Sequence, residues 1–295
     1  MSLIEAAVQK AKNLTEMGRN RAMTPQPVEP LPEPQPKEPS LAPTQRERMV
    51  EPDAAAVAAR VAQARVLPIA RVDSEAMERN GVLLHVTDNS AQRSYRILRT
   101  RLQQRMQAQN WHSVAITSCG VGDGKTLTSI NLALALARDV NTWVYLVDLD
   151  LQRPQLASYL GLQFDKSLND YLTGEARFED ILYSPGVERV AIIPCARPVQ
   201  NASDVLGSPR TRELCRALAA EVPRPIVIFD MPPLLMGDDV LKFHPNVDST
   251  LLVVSEGRTP RSSLEQAQEI LQEMSLLGVV LNRSAETLMG SYYYY

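Results

Sequence analysis

From about residue 80 onward, short apolar runs alternate with segments in which apolar residues recur at helical spacing. Near-continuous apolar runs bounded by turn residues are typical of strands that are buried on both faces of a parallel sheet. We predict strands at residues 113–118, 143–148, 190–194, 225–230, 249–254 and 278–282. We predict helices at residues 90–108, 125–138, 209–221 and 260–276. The pattern therefore predicts an α/β fold with a mostly parallel, doubly wound sheet.

The amino-terminal part of the chain follows a different pattern. Residues 3–17 place apolar side chains at helical spacing, and Ser2 with Glu5 fits a capping box, so we predict a short amphipathic helix within residues 1–20. Two interpretations of its apolar stripe stay open: the stripe docks on a partner or a lipid surface, or the helix is marginal and either packs on its own domain or is frayed.

A proline-rich segment follows this helix. Ten of the 21 prolines lie between residues 24 and 68, mixed with Glu, Gln and Ala. This composition buries too little apolar surface to offset the entropy that is lost on ordering. We therefore predict a disordered linker over residues 21–79, a folded domain over residues 80–285 and a flexible tail over residues 286–295.

Composition and charge exclude several kinds of partner and anchor. The chain has 295 residues, a net charge of −3 and a sequence pI near 5.8, so it lacks the positive charge that a nucleic-acid partner requires. Cys119, Cys195 and Cys215 fit neither a disulfide framework nor a metal knuckle, which indicates reduced thiols. No run approaches the ~18–20 apolar residues of a membrane-spanning helix. We expect a cytoplasmic protein with no transmembrane segment of its own.

The strongest chemical signal is a candidate phosphate-binding loop after the first predicted strand. Gly124, Lys125 and Thr126 open an apolar helix in the strand, loop, helix context of a Walker A motif. Glycines let backbone N–H groups converge on phosphate oxygens, and the helix N-terminus adds partial positive charge. Lys125 would reach the β and γ phosphates of ATP, and the Thr126 hydroxyl would bind Mg²⁺. The predicted nucleotide-binding residues here are Gly120, Val121, Gly122, Asp123, Gly124, Lys125, Thr126 and Leu127.

Two further strands deliver carboxylates to the same edge of the sheet. Asp148 and Asp150 end the strand in WVYLVDLDLQRP, and Asp230 ends the strand in PIVIFDMPP. Open α/β sheets bind ligands at the carboxyl ends of their strands. We therefore predict Thr126 and the three acids as metal ligands, and Lys125 with the three acids as catalytic residues. Asp148 or Asp150 would orient or deprotonate an attacking hydroxyl.

Taken together, these motifs resemble those of bacterial tyrosine kinases of the CpsD/CapB type, including the exosortase-linked autokinases of exopolysaccharide synthesis. The resemblance covers roughly residues 80–283 and the MSLIE start. It implies a P-loop NTPase fold of the MinD-like type, in which Walker A, Walker A′ and Walker B motifs surround Mg-ATP. The DxDxxRP form of Walker A′ matches at Asp148, Asp150, Arg153 and Pro154, so Arg153 is a further candidate at the nucleotide.

Two later stretches extend the resemblance. VQNASDVLGSP, residues 199–209, looks like the PNPSELL stretch of the family and matches it at Asn201, Ser203 and Leu206. Asn282 ends GVVLN at a place where related P-loop ATPases use an Asn to read the adenine edge. The alternative for Asn282 is a strand-end cap.

Three departures from the family pattern bear on activity and assembly. Cys119 replaces the first glycine of Walker A, and Gln152 stands where an Arg is common. RSYRILRTRLQQRM resembles the ExxRxxR helix with which family members assemble into rings: Arg96 and Arg99 match, but Arg93 occupies the acidic position and introduces like-charge repulsion. The resemblance implies a homo-oligomer, held by these or other contacts. The alternative for the arginines is a solvated helix face.

The tyrosine-rich carboxyl-terminal tail favours a kinase over a general ATPase. Tyr292, Tyr293, Tyr294 and Tyr295 are four of the nine tyrosines, and they resemble the cluster that this family phosphorylates between neighbouring subunits. The implied function is an ATP-dependent tyrosine autokinase that regulates exopolysaccharide synthesis and export. Its implied activator is a transmembrane chain-length regulator of the Wzz type, which would recruit it to the inner face of the plasma membrane.

Two other functions stay open. A MinD/ParA-like ATPase switch shares the P-loop, but Gly120 stands where those switches have a signature Lys. A catalytically weak, nucleotide-binding scaffold of a polysaccharide export complex fits the departures at Cys119, Gln152 and Arg93. A kinase fold of the eukaryotic type is disfavoured, because the chain has no HRD or DFG motif.

Overall fold

A computed structural model of the protein describes residues 67–84, 90–221 and 224–284. The predicted amino-terminal helix, most of the predicted linker and the tyrosines Tyr292–Tyr295 lie outside the described residues. No helix in the described ranges is both long and apolar enough to cross a bilayer.

A six-stranded sheet forms the centre of the domain, and all its strands are parallel, in the order β3-β2-β4-β1-β5-β6. The strands are β1 (Ser113–Ser118), β2 (Val144–Asp148), β3 (Val190–Ile193), β4 (Ile226–Asp230), β5 (Ser249–Ser255) and β6 (Leu276–Asn282). The predicted parallel, doubly wound α/β fold is therefore confirmed. The apolar runs locate each strand to within about two residues at either end, because strands buried on both faces are apolar along their whole length.

Helices cover the two faces of the sheet. They are α1 (Ser74–Arg79), α2 (Ser90–Gln109), α3 (Lys125–Leu136), α4 (Leu156–Leu160), α5 (Leu168–Thr173), α6 (Ala202–Leu206), α7 (Pro209–Ala219), α8 (Asp239–Phe243) and α9 (Arg261–Leu271). The longer helices α2, α3, α7 and α9 correspond to the predicted ones. The others have five or six residues, which is too short for a helical repeat to be recognised in a sequence window of about 11–18 residues.

The helix predicted over residues 260–276 is too long. It ends at Leu271, and Leu276 already begins β6. Buried Ala267, Leu271 and Met274 keep helical spacing across the true end, so the apolar pattern does not mark it. The chain turns after Leu271 while Met274 still packs into the core.

The segment before residue 80 packs on the domain, although its composition predicts it as the end of the linker. The Ala70 N–H donates to the Ser184 carbonyl at 2.9 Å, and Met77 of α1 is buried. The domain therefore begins upstream of residue 80. Long-range backbone hydrogen bonds and a six-residue helix leave no trace in composition, which explains the difference.

Alternate strand residues face two separate apolar layers. In β2, Val144 and Leu146 belong to one layer, and Tyr145 and Val147 belong to the other. Because the strands all run in the same direction, their carboxyl ends meet at one edge of the sheet. The loop after β1 and the acids at or just after the ends of β2 and β4 lie at that edge.

Two arginines tie the arginine-rich helix α2 to its own domain. The Arg99 guanidinium donates to the Ala135 carbonyl at 3.2 Å, and Arg105 donates to the Leu277 carbonyl. These bonds hold α2 against α3 and β6. Arg99 thus has a role in this chain's own fold, and assembly through the matched arginines of the family helix stays a prediction.

Candidate active site

The loop between β1 and α3 has the backbone of a phosphate cradle. Gly122 and Gly124 have φ values of 85° and 94°, in the left-handed region that favours glycine. Gly124 directly precedes α3, whose first N–H groups have no partner within the helix. These N–H groups and the partial positive charge of the helix end lie at the carboxyl edge of the sheet, where an anion is stabilised.

Lys125 is the centre of a buried cluster in front of this loop. Its ammonium lies 2.8 Å from a carboxylate oxygen of Asp150 and 3.6 Å from one of Asp230. The Thr126 hydroxyl donates to one Asp230 oxygen at 2.7 Å, and the Ser129 hydroxyl donates to the other at 3.1 Å. The structure thus brings together predicted site residues from α3, from β4 and from the turn after β2.

Asp148 is buried next to the cluster, where it supports the turn that carries Asp150. Its carboxylate accepts the Asp150 N–H at 3.3 Å on one oxygen and the Leu156 N–H at 3.0 Å on the other. The sequence motif gives no reason to assign Asp148 and Asp150 different roles. The geometry separates them, because Asp150 reaches Lys125 while Asp148 fixes the backbone around it.

Burial and mutual charge set the protonation of this cluster. Burial raises the pKa of Asp148 well above its usual value, and the charge of Asp230 adds to the rise. Burial also raises the pKa of Asp230, against the lowering effect of Lys125. For Lys125, burial lowers the pKa, but the charges of Asp230 and Asp150 outweigh burial and the net shift is upward. Lys125 is therefore held in its charged form.

Side chains from the loop after β5 and from the end of β6 brace the phosphate-binding loop. Asp123 accepts the Gly120 N–H at 3.0 Å and the Thr259 hydroxyl at 2.8 Å. The Asn282 amide donates to the Asp123 carbonyl at 2.9 Å. Asn282 thus closes the loop from the end of β6, and its contact with an adenine edge stays a prediction.

The remaining predicted nucleotide-binding residues surround the cluster without joining it. Val121 is exposed in the loop, and Leu127 is half-buried in the first turn of α3. Arg153 is exposed, and its backbone N–H donates to the Asp150 carboxylate at 3.0 Å. The guanidinium of Arg153 stays a candidate for contact with nucleotide phosphates.

Ser129 and Thr259 lie in the site although no motif singles them out. Ser129 follows Lys125 by one helical turn, so its hydroxyl returns to the same face and reaches Asp230. That spacing is a signal present in the sequence. Thr259 comes from a loop 136 positions after Asp123, and no local pattern marks it.

The donor set of the site suits Mg²⁺. Within the described residues, no group of three or more His, Cys, Asp or Glu side chains forms a metal cage. The oxygen donors that converge are the Thr126 hydroxyl and the carboxylates of Asp150 and Asp230. Mg²⁺ prefers such oxygen ligands, and it binds through one or two carboxylates together with water and substrate phosphates. The residues therefore fit a metal that arrives with a nucleotide.

A hydrogen bond joins the turn after β2 to α8. The Gln152 amide donates to Asp239 at 2.8 Å, and Asp239 is 3% exposed. The second carboxylate oxygen of Asp239 has no hydrogen-bond partner among the described residues. Burial raises the pKa of Asp239, and the bond from Gln152 opposes that rise. Gln152, a departure from the family pattern, thus has a structural role in this chain.

We expect Gln152→Leu to lower the free energy of unfolding by about 1–3 kcal/mol, because it leaves a buried carboxyl without its hydrogen bond. The folded-state pKa of Asp239 is raised, so stability is lost as pH rises through that pKa. Removing the amide raises this pKa further, and the loss is therefore greater at neutral than at mildly acidic pH. Urea unfolding at both pH values measures the effect.

The control for this prediction is Gln155→Leu. Gln155 lies in the same segment, is exposed, and its amide makes no hydrogen bond within the described part of the chain. We expect a change below about 0.5 kcal/mol. Equal losses in the two variants would contradict the role given to Gln152.

Cys119 fills the position of the missing Walker A glycine as a small buried side chain. Burial raises the pKa of its thiol to about 12, and the charge of Asp123 adds to the rise. The residue is 2% exposed. It is therefore an inert thiol, in keeping with the unreactive character of buried cysteines.

We expect Cys119 to resist alkylation in the native protein. With a pKa of about 12, roughly one thiol in ten thousand is ionised near pH 8. Mass spectrometry after iodoacetamide treatment measures the labelling, with urea-unfolded protein as the positive control. Cys119→Ala should leave the affinity for Mg-ATP within about twofold, and rapid native labelling of Cys119 would contradict this assignment.

Comparison with known proteins places the domain in a family. Residues 112–273, more than half of the chain, match the AAA domain family. The chain is 28% identical over 221 residues to "Tyrosine-protein kinase YwqD" of Bacillus subtilis (strain 168), which covers 74% of this chain and 92% of that protein. The resemblance to bacterial tyrosine kinases is therefore confirmed.

Solved structures have the same fold. The kinase domain of Escherichia coli tyrosine kinase ETK matches with a TM-score of 0.63 at 24% identity, over 70% of this chain and 82% of that one. The septum site-determining protein MinD of Pyrococcus horikoshii, solved with Mg-ADP, matches with a TM-score of 0.50 at 25% identity, over 59% of this chain and 71% of that one. The predicted P-loop, MinD-like fold is confirmed.

Proposed function

Because this chain belongs to the AAA domain family and is similar to bacterial tyrosine-protein kinases, we propose that it transfers the γ-phosphoryl group of Mg-ATP to tyrosines of its own tail, Tyr292–Tyr295. The observation that carries the proposal is the convergence of Lys125 with Asp150 and Asp230 in front of a phosphate cradle. Phosphoryl transfer depends chiefly on positioning and on electrostatic stabilisation, which this arrangement supplies.

The Thr126 hydroxyl and the Asp230 carboxylate, 2.7 Å apart, would hold Mg²⁺. When bound, the ion neutralises charge on the phosphate oxygens. Asp148 is left out of this metal set, because its oxygens accept backbone N–H groups. We assign it to the support of the turn that carries Asp150.

In the proposed reaction the Lys125 ammonium leaves its ion pair with Asp150 and binds the β and γ phosphate oxygens instead. Its charge there stabilises the transition state. Asp150 then accepts a hydrogen bond from the acceptor phenol and finally takes its proton, which matters because a free phenol has a pKa of ~10. The phenol oxygen forms a bond to the γ phosphorus while the bond from that phosphorus to the β–γ bridging oxygen breaks. ADP leaves with the bridging oxygen. The 2.8 Å separation of Lys125 and Asp150 supports this exchange of partners.

We place the acceptor tyrosines in a cycle of assembly and release. Each phosphate adds about −1.5 to −2 charges, so a phosphorylated tail is repelled from a site that contains three acids. The protein would act as a cytoplasmic homo-oligomer in exopolysaccharide synthesis and export. A transmembrane chain-length regulator would recruit and activate it at the inner face of the plasma membrane.

Mass spectrometry of the tail peptide after incubation with Mg-ATP tests the proposal. The wild type should carry phosphate on Tyr292–Tyr295, and Asp150→Asn should carry on the order of a hundredfold less while it still binds ATP. Hydrolysis of ATP without phosphate on the tail would favour a MinD-like switch. Absence of both hydrolysis and transfer, with a regulator fragment added, would favour the scaffold.

A further inference from the structure

The turn that carries Asp150 is bonded to two neighbouring segments through its backbone. The Leu149 N–H donates to the carbonyl of Asp230, at the end of β4, at 2.9 Å. The Leu151 carbonyl accepts the N–H of Val199, in the loop after β3, at 2.8 Å. Since β3 and β4 flank β2 in the sheet, the backbone on either side of Asp150 is held from both neighbouring strands.

A third bond to this turn joins two side chains. The Gln152 amide nitrogen donates to a carboxylate oxygen of Asp239, the first residue of α8, at 2.8 Å. The other oxygen of Asp239 is buried and has no hydrogen-bond partner among the described residues. Within that part of the chain, Gln152 thus supplies the one side-chain hydrogen bond of a buried carboxylate. Leaving such a group unpaired is unfavourable, which favours the bonded arrangement.

The acceptor side of this bond is closely packed. A Cβ on Gly237 would lie 2.9 Å from the Asp239 oxygen that accepts the bond and 3.8 Å from the donating nitrogen of Gln152. The backbone at Gly237 therefore lies directly against the bonded groups. The start of the same loop is fixed to β1, because the buried Thr117 hydroxyl donates to the Pro232 carbonyl at 2.7 Å. The loop that leads to Asp239 is thus fixed relative to the sheet.

The bond connects the two acids of the Lys125 cluster by a second route. Asp150 lies two residues before Gln152, and Asp230 lies nine residues before Asp239. The first route is the pairing of β2 with β4 in the sheet. The second runs from the turn through the bonded side chains to the segment that follows β4. The position of Asp150 relative to Asp230 is therefore held both by the sheet and by this bond.

The proposed reaction makes this support necessary. Before transfer, Asp150 is held by its ion pair with Lys125 at 2.8 Å. When the Lys125 ammonium binds phosphate oxygens, the hydrogen bond that Asp150 retains among the described residues comes from the Arg153 N–H, within the same turn. The place of the carboxylate then depends on the bonds between the turn and the rest of the domain. A displacement of about 1 Å can cost a reaction about a hundredfold in rate.

We propose that Gln152 and Asp239 are positioning residues, which hold the turn so that Asp150 faces the acceptor phenol once Lys125 has left it. The inference rests on the proposed function and adds two residues that act through Asp150. The pair affects the transfer step more than nucleotide binding, because neither residue belongs to the phosphate-binding loop.

The rate constant of phosphate transfer to the tail at saturating Mg-ATP, measured together with the affinity for Mg-ATP, tests the proposal. Gln152→Met removes the donor at similar side-chain length, and Asp239→Leu removes the acceptor at similar size. We expect each to lower the rate constant about tenfold, with the affinity unchanged within about threefold. Asp239→Asn keeps an oxygen that accepts the bond, so it should transfer within about threefold of the wild type.

The double variant Gln152→Met/Asp239→Leu separates the loss of this bond from general loss of stability. Both substitutions remove the same bond, so the double variant should lose no more transfer than either single variant. It also leaves no buried carboxyl without its donor, so it should be more stable than Gln152→Met. Losses that multiply in the double variant would contradict a shared bond. The control is Gln155→Met, exposed in the same segment, which should keep full transfer.

Hydrogen–deuterium exchange of the peptide that contains residues 149–155 gives a readout that does not depend on transfer. We expect faster exchange in Gln152→Met and in Asp239→Leu, and exchange like the wild type in Asp239→Asn. Unchanged exchange in the first two variants would overturn the proposal, and so would full transfer by both of them. If exchange changes as expected but the wild type places no phosphate on its tail, the proposed function fails and the support of the turn by this pair stands.

Discussion

Replacing Lys125 with Met should lower phosphate transfer to the tail by a factor on the order of 10²–10³, the largest effect that we expect from a single side chain. The ammonium would bind the phosphate oxygens, and a preorganised charge at such a place contributes about 3–4 kcal/mol to the transition state. Its present contacts with Asp150 at 2.8 Å and Asp230 at 3.6 Å hold it at that place. Quantitative mass spectrometry of the tail peptide measures the loss.

Loss of folding is the main confounding outcome for this variant, because Lys125→Met leaves two buried acids without their cation. Lys125→Arg keeps the charge but changes its geometry, so it should fold and still lose transfer. Lys242→Met removes an exposed lysine on α8 and should retain full transfer. A folded Lys125→Met protein with wild-type transfer would remove Lys125 from the reaction.

Gly124→Ala should weaken the binding of Mg-ATP at least tenfold. Gly124 has a φ of 94°, and a Cβ at this position would lie 2.2 Å from the Asn282 amide nitrogen. The left-handed conformation costs an alanine about 1–2 kcal/mol, and Asn282 must swing away and release the Asp123 carbonyl. The loop then loses both its turn and its brace. Isothermal titration calorimetry measures the change in affinity.

The matched control is Gly186→Ala. Gly186 has a φ of 77°, and a Cβ there would meet no atom within 4 Å. This variant carries similar backbone strain at a distance from the loop, so it should lose stability without loss of nucleotide affinity. If both variants lose affinity equally, general strain and not the geometry of the loop accounts for the effect.

The sequence predicts the sheet and the meeting of the main site residues well. Strands buried on both faces are apolar along their length, so the positions of the apolar runs in the sequence locate them. Because parallel strands end at one edge, Lys125, Asp150 and Asp230 could be predicted to meet although 105 positions separate the first from the last.

The sequence does not predict that the neighbouring acids Asp148 and Asp150 have different roles. Asp148 and Asp150 are one residue apart in a symmetrical motif, and only the turn geometry gives the first to backbone N–H groups and the second to Lys125. The bond between Gln152 and Asp239 joins positions with no shared local pattern. Such contacts depend on tertiary packing, which periodicity does not encode.

The predicted boundary at residue 80 has the same limitation. The sequence has prolines up to residue 68 and a polar segment after them, and this composition predicts a linker. The structure has long-range backbone hydrogen bonds and a short helix before residue 80. A cavity lined by α5, the loop after β3 and the start of α7 also forms from segments that meet only in the folded chain.

Calorimetric titration of the 295-residue chain with a non-hydrolysable ATP analogue, with and without Mg²⁺, tests the central claim most directly. The claim is that the loop before Thr126 binds a triphosphate whose metal is held by Thr126 and Asp230. We expect one saturable site per chain in the presence of Mg²⁺ and a much weaker one after chelation. Absence of saturable binding in Mg²⁺ would contradict the claim, and with it the kinase, the switch and the scaffold alike.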